Sequence, residues 1–134
     1  MMFKFQDDEL VKRGASIELS QNEVIKRFKV WLRSNGDYLR VSSIDGQRII
    51  NVSRFLDYSL SHVWIDQIGK DSIYATEIIE NTDFFVATDS GDIPRKYFLT
   101  DVSLESVVMA FLKSKIADDR FKWVGSDVLY SYWD

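Results

Sequence analysis

Residues 20–53 read SQNEVIKRFKVWLRSNGDYLRVSSIDGQRIINVS, and they spell out one helix and one hairpin together with their stop signals. Ser20 and Glu23 have the spacing of a capping box, in which each side chain reaches back to a backbone N–H that the first helical turn leaves unpaired. Val24, Ile25, Phe28, Trp31 and Leu32 then recur at the spacing that lines one helix face, while Lys26, Arg27, Lys29 and Arg33 fall largely on the other. Asn35-Gly36 stops the run, because both residues tolerate the left-handed conformation of a C-cap, so a helix is predicted from Gln21 to Asn35. Tyr38–Ile44 and Gln47–Ser53 flank Asp45-Gly46, a dipeptide that favours a two-residue type I′ turn with positive φ at both central positions. Such a turn sets Val41 opposite Ile50 and Leu39 opposite Val52, with Arg40 opposite Asn51 on the other side. One face of this ribbon is apolar and the other polar, so it lies on a core with its back to water.

Downstream, Phe55, Leu56, Leu60, Val63, Trp64, Ile65 and Ile68 suit a strand or a short helix, and a strand around Ser61–Asp66 is expected. Gly69-Lys70-Asp71 reads as a turn. Ile73–Ile79 and Phe84–Thr88 are rich in β-branched and aromatic residues, and the polar run Glu80-Asn81-Thr82-Asp83 between them predicts a second hairpin. Asp89-Ser90-Gly91-Asp92 reads as a loop and Lys96–Leu99 as a further strand. A second helix is predicted from Ser103 to Ala117, striped by Leu104, Val107, Val108, Phe111 and Leu112, capped by Asp101 or Ser103 and ended by Asp118-Asp119. Trp123, Tyr130, Tyr132 and Trp133 belong to one or two short strands or a packed tail. Strands clustered between helices, rather than alternating with them, indicate an α+β fold: an antiparallel meander packed against an N-terminal and a C-terminal helix. With no internal repeat and no linker, the 134 residues suit one domain over 1–134.

Composition removes most chemistries. Cysteine is absent, which excludes disulfides, zinc ribbons, thiol nucleophiles and Fe–S clusters. His62 is the only histidine, so sites built on several imidazoles are excluded too. On a strand His62 shares a face with Leu60 and Trp64 and reads as a structural or interface residue; no G-x-S-x-G elbow supplies a nucleophile for it. Asp89 and Asp92 could act as paired carboxylates, but nothing marks them above other pairs. Their loop also lacks the ligand spacing of a calcium loop. Neither G-x-G-x-x-G nor a Walker A sequence occurs. No catalytic residue, metal or cofactor is therefore expected. Met1–Leu10, MMFKFQDDEL, lacks the basic flank and apolar stretch of a signal peptide, and no window approaches the roughly 18 apolar residues of a membrane span. A cytoplasmic protein without a membrane partner is expected.

Charge placement carries the functional information. Residues 1–56 hold 10 basic and 7 acidic side chains, and residues 93–134 hold six of each. Between Asp57 and Asp92 stand eight acids, Asp57, Asp66, Asp71, Glu77, Glu80, Asp83, Asp89 and Asp92, against Lys70 alone. The whole excess negative charge, −4 for the molecule, thus comes from one 36-residue window of net −7, which also holds Tyr58, Trp64, Tyr74, Phe84 and Phe85. These acids serve either as solvated turns and edge protection or as a docking patch. A patch would speed encounter with a basic partner, with aromatics as anchors. The cations from Lys26 to Arg40 read as a solvated helix face, and the acidic domain argues against nucleic acid as a partner.

A small, acidic, cysteine-free, aromatic-rich α+β chain without catalytic motifs resembles the immunity proteins of bacterial toxin systems, including those paired with contact-dependent growth-inhibition toxins. The resemblance implies a non-enzymatic monomer that binds one cognate toxin in a one-to-one complex and blocks its active site or substrate access. The acidic window makes a basic nuclease domain the expected toxin, with Asp57, Asp66, Asp71, Glu77, Glu80, Asp83, Asp89 and Asp92 as docking acids and Trp64 and Tyr74 as anchors. Two rivals stand beside it. One is a secretion chaperone that wraps an exported client as a dimer; the other is a small hydrolase using Asp89, Asp92 or His62.

Overall fold

The computed structural model describes residues 2–55, 59–77, 85–88, 91–114 and 120–126. Along the chain come β1 (Met2–Gln6), α1 (Asp8–Lys12), β2 (Ile17–Ser20), α2 (Gln21–Arg33), β3 (Tyr38–Ser43), β4 (Arg48–Phe55), β5 (Leu60–Gln67) and β6 (Lys70–Thr76). They are followed by β7 (Phe85–Thr88), β8 (Gly91–Pro94), a 3-10 turn (Arg95–Tyr97), β9 (Leu99–Thr100), α3 (Asp101–Ser114) and β10 (Lys122–Gly125). The large sheet runs β10-β6-β5-β4-β3-β1-β2, with β9 paired to the outer half of β5, and every described pairing in it is antiparallel. Strands β3 to β6 are a meander, and the fold is α+β.

The capping box forms as its spacing predicts. The Ser20 hydroxyl accepts from the Glu23 N–H at 3.3 Å, and the Glu23 carboxylate accepts from the Ser20 N–H at 3.1 Å. These hydrogen bonds hold the exposed Glu23 carboxyl below its usual pKa. The helix end differs in one respect. Asn35 takes the left-handed position, at φ +56°, while Gly36 serves packing, since a Cβ there would stand 2.0 Å from Trp31 Nε1.

The β3–β4 register is the predicted one, Val41 to Ile50, Leu39 to Val52 and Arg40 to Asn51. Its turn is not type I′. Only Gly46 is left-handed, at φ +71°, because the Asp45 carboxylate is tied into its own turn by the Ser43 hydroxyl and, at 3.0 Å, the Gln47 N–H.

One face of the sheet carries the main core. Phe3, Phe5, Leu39, Val41, Ile50, Val52, Val63 and Ile65 point to it from the strands. Val24, Phe28 and Trp31 of α2 and Leu104, Val107, Val108, Phe111 and Leu112 of α3 close it. Arg54, with its side chain 6% exposed, ties the two helices together. It donates to the Leu32 carbonyl at the end of α2 (2.9 Å) and to Asp101 at the start of α3 (2.8 Å). Both contacts also suit the helix dipoles, a cation at a C-terminus and an anion at an N-terminus.

Several expectations are corrected. Residues 73–76 and 85–88 do not pair as a hairpin: β6 lies between β5 and β10, while β7 pairs with β8 in a separate two-stranded sheet. The reason is that β6 is apolar enough on both faces to be an inner strand, with Ala75 in the main core and Tyr74 in a second cluster. The expected strand Lys96–Leu99 is a 3-10 turn followed by the short β9. Gly91 and Asp92 belong to β8 rather than to a loop, and Lys70 and Asp71 to β6 rather than to a turn. Thr100 caps α3 through its hydroxyl and the Ser103 N–H, at 3.3 Å, because Asp101 is engaged by Arg54. Residues 78–84, 115–119 and 127–134 of the predicted second hairpin, helix end and tail lie outside the described residues.

Candidate functional site

Strand β5 organises the second face of the sheet. Its alternation sends Ser61, Val63 and Ile65 to the main core side and Leu60, His62, Trp64 and Asp66 to the other. Half of that second face has its own cover. The β7–β8 hairpin and the 3-10 turn lay Val86, Ile93, Tyr97 and Phe98 on Leu60 and Tyr74, with Phe55, Trp64 and Val124 packed around them. His62 sits inside this cluster, its ring 5.2 Å from Tyr74, 5.4 Å from Trp64 and 5.5 Å from Phe98, with Nδ1 3.2 Å from the Tyr97 carbonyl oxygen. Burial among rings disfavours the imidazolium and holds its pKa below the ordinary histidine value, against a weaker pull from the Tyr97 carbonyl. The ring is packing material with one donor spent on the backbone.

Beyond Trp64 the cover stops and a polar network begins. The Tyr38 hydroxyl donates to Asn51 Oδ1 at 3.3 Å, Asn51 Nδ2 donates to Asp66 Oδ2 at 2.9 Å, and the Ser72 hydroxyl donates to Asp66 Oδ1. Desolvation in this setting raises the Tyr38 pKa. The network joins β3, β4, β5 and β6. It depends on a slip in register: Ile65 faces Ile73 but Gln67 faces Lys70, so β6 carries one extra residue. A bulge of this kind re-aims side chains; here Ser72 reaches Asp66 while Asp71 stays exposed.

The same end of the sheet presents apolar side chains to solvent, at two of its turns and at Met2, which is 42% exposed. Ile68, in the β5–β6 turn, is 69% exposed, and Ile44, in the β3–β4 turn, is 41% exposed. The turns are fastened to each other by the Ile68 N–H and the Gln47 carbonyl at 3.1 Å. Asp45, Asp66 and Asp71 lie among them. Turn positions are ordinarily filled by glycine, asparagine, aspartate or proline, for backbone reasons. An exposed β-branched apolar residue at such a tip, rimmed by acids, is the pattern of an interface anchor.

The expected docking residues therefore separate. Trp64, Asp66 and Asp71 are brought together along β5 and its turn into β6. Tyr74 is stacked on Trp64, centroids 6.2 Å apart, but is only 8% exposed within the second cluster. Glu77, past the far end of β6, is held by Arg95 at 3.1 Å and accepts from the Thr100 N–H at 3.2 Å. Asp92 is exposed on β8, opposite Ala87. Asp57, Glu80, Asp83 and Asp89 lie outside the described residues. The exposed Ile44 and Ile68 and the Asn51 bridge were not expected; a lone isoleucine before Gly69 was the one available signal.

Among the described residues no group of three or more histidine, aspartate or glutamate side chains is placed to hold a metal ion, and no helix is long and apolar enough to cross a membrane. Comparison of the chain with protein-family models, with curated proteins and with solved structures finds no match.

Proposed function

We propose that this chain is a non-catalytic binding protein of the immunity type. It docks one cognate toxin, a basic nuclease domain, in the cytoplasm of the producing cell and blocks it by direct contact. The reading rests on one observation above the others: Ile68 stands 69% exposed at a turn tied to its neighbour, with Asp66 and Asp71 beside it. Asp66 is held in place by Asn51 and Ser72, so part of the negative charge is pre-organised before the partner arrives. The net −7 window from which these acids come supplies a field that favours a cationic client.

The test begins with the reading frame immediately upstream, which should encode a large exported protein ending in a basic domain. Co-expression of this chain should restore growth to cells making that domain, and calorimetry should give a one-to-one stoichiometry that weakens as salt rises. A frame of another kind, or a domain that neither binds nor is neutralised, overturns the proposal.

A further inference from the structure

A cleft of about 520 Å³ lies between α1 and α2, within the range of small-molecule sites, roughly 300–1,000 Å³. Its lining sets Asp7, Asp8 and Glu9, at the start of α1, against Lys12, Lys26 and Arg27. The formal charges cancel, so the cleft offers no net field to a simple anion or cation. Yet the two signs are not spent on each other. Asp7 accepts from the Leu10 N–H at 3.0 Å, Asp8 from the Asp37 and Tyr38 N–H groups at 3.0 and 2.6 Å, and Glu9 from Arg13 at 2.8 Å. Lys12, Lys26 and Arg27 make no ion pair or hydrogen bond among the described residues. Glu23, one turn before Arg27, is committed to the Ser20 cap.

Trp31 supplies an independent observation. It also lines the cleft and is only 5% exposed, and its Nε1–H is buried with no hydrogen-bond partner among the described residues. A buried indole N–H ordinarily finds an acceptor. Gly36, another lining residue, packs on the pyrrole edge of this indole: a Cβ there would stand 2.0 Å from Nε1 and 2.2 Å from Cδ1. Arg27 precedes Trp31 by one helical turn, the spacing at which two side chains share a patch of surface. Val30, 53% exposed, adds an apolar wall beside them.

An unmet N–H next to an uncommitted guanidinium suits a carboxylate. The second carboxylate oxygen of Asp7, which accepts nothing among the described residues, suits an ammonium. A lining of zero net charge favours both groups in one molecule. We infer that the cleft binds a free α-amino acid with an apolar side chain. Its carboxylate meets Trp31 Nε1–H and Arg27, its ammonium meets Asp7, and its side chain lies on Val30. Because Nε1 is closed to water, the carboxylate reaches it only as Gly36 and the indole edge part slightly, so Gly36 should report binding too. The inference is independent of the docking reading, which uses the turn end of the sheet and none of these residues.

The test follows the indole and amide resonances of the full chain titrated with L-leucine, N-acetyl-L-leucine, L-leucinamide and glycine. Leucine should shift the Trp31 indole N–H and the Gly36 amide saturably. Removing the ammonium by acetylation, or the carboxylate by amidation, should weaken binding about tenfold or more, and glycine should bind a few-fold more weakly than leucine. Asp7→Asn, which keeps a capping side chain, and Arg27→Gln should each weaken leucine binding several-fold, with an unaltered thermal midpoint showing that they stay folded. The inference is overturned if leucine at millimolar concentration leaves the Trp31 indole resonance in place, if either blocked form binds as tightly as leucine, or if both variants bind leucine as the native chain does.

Discussion

At His62 and Gly36 a single side chain, or its absence, has a measurable consequence for stability. The His62 pKa is lowered by burial among Trp64, Tyr74 and Phe98, so on acidification the unfolded chain takes up the proton before the folded one does. The stability associated with His62 is full above the unfolded value, near 6.5, and is lost as pH falls below it toward the folded value. Thermal midpoints should fall between pH 7.5 and about 5.5, and His62→Gln should flatten that slope; an equally steep slope in the variant would locate the titration elsewhere. At Gly36 a methyl group collides with the Trp31 indole. Gly36→Ala should cost about 1–3 kcal/mol in urea unfolding, the range for forced overpacking. Gly14→Ala, whose new methyl would meet nothing within 4 Å, tests the left-handed backbone alone.

Among the elements, the two core helices are coupled through Arg54 more directly than through sequence neighbours. Removing its side chain frees Asp101 and the Leu32 carbonyl together. Breaking a buried pair costs about 3–5 kcal/mol, and since Asp101 is partly exposed, Arg54→Ala should cost nearer 2–3 kcal/mol by chemical denaturation. No change in stability would mean that the latch is idle. Such a contact between distant segments is what the sequence conceals. Helix α2 and the β3–β4 register were legible because their signals are local: a capping box, a stripe, a turn dipeptide and clean alternation. Strands β1 and β2 were not, because four or five residues with two inward phenylalanines form a strand only once β3 lies beside them. The partner of β7 was misassigned because short apolar strands do not name their neighbours. At the proposed docking surface, acidity was readable at every position but accessibility was not. Glu77 is occupied by Arg95, eighteen residues on, while Asp71 is exposed by a bulge that leaves no mark in the sequence.

For the molecule as a whole, one sheet is closed by helices on one side and half closed by a hairpin on the other. The acidic window feeds both the hairpin and the turn end, and under the proposed function its field acts on association rather than on folding. Exposed charges are screened beyond about 8 Å at physiological ionic strength, so the association rate with a basic partner should drop as salt rises while the dissociation rate changes little. The apolar tip should act on the other rate: Ile68→Ala should speed dissociation without slowing encounter. The most direct measurement is the association and dissociation kinetics of the proposed partner, the basic domain expected from the upstream reading frame, with the native chain, with Asp71→Lys and with Ile68→Ala, at two salt concentrations. The account predicts a slower, less salt-sensitive encounter for Asp71→Lys and a dissociation at least tenfold faster for Ile68→Ala, where tenfold corresponds to about 1.4 kcal/mol. Rate constants for both variants equal to those of the native chain would contradict it.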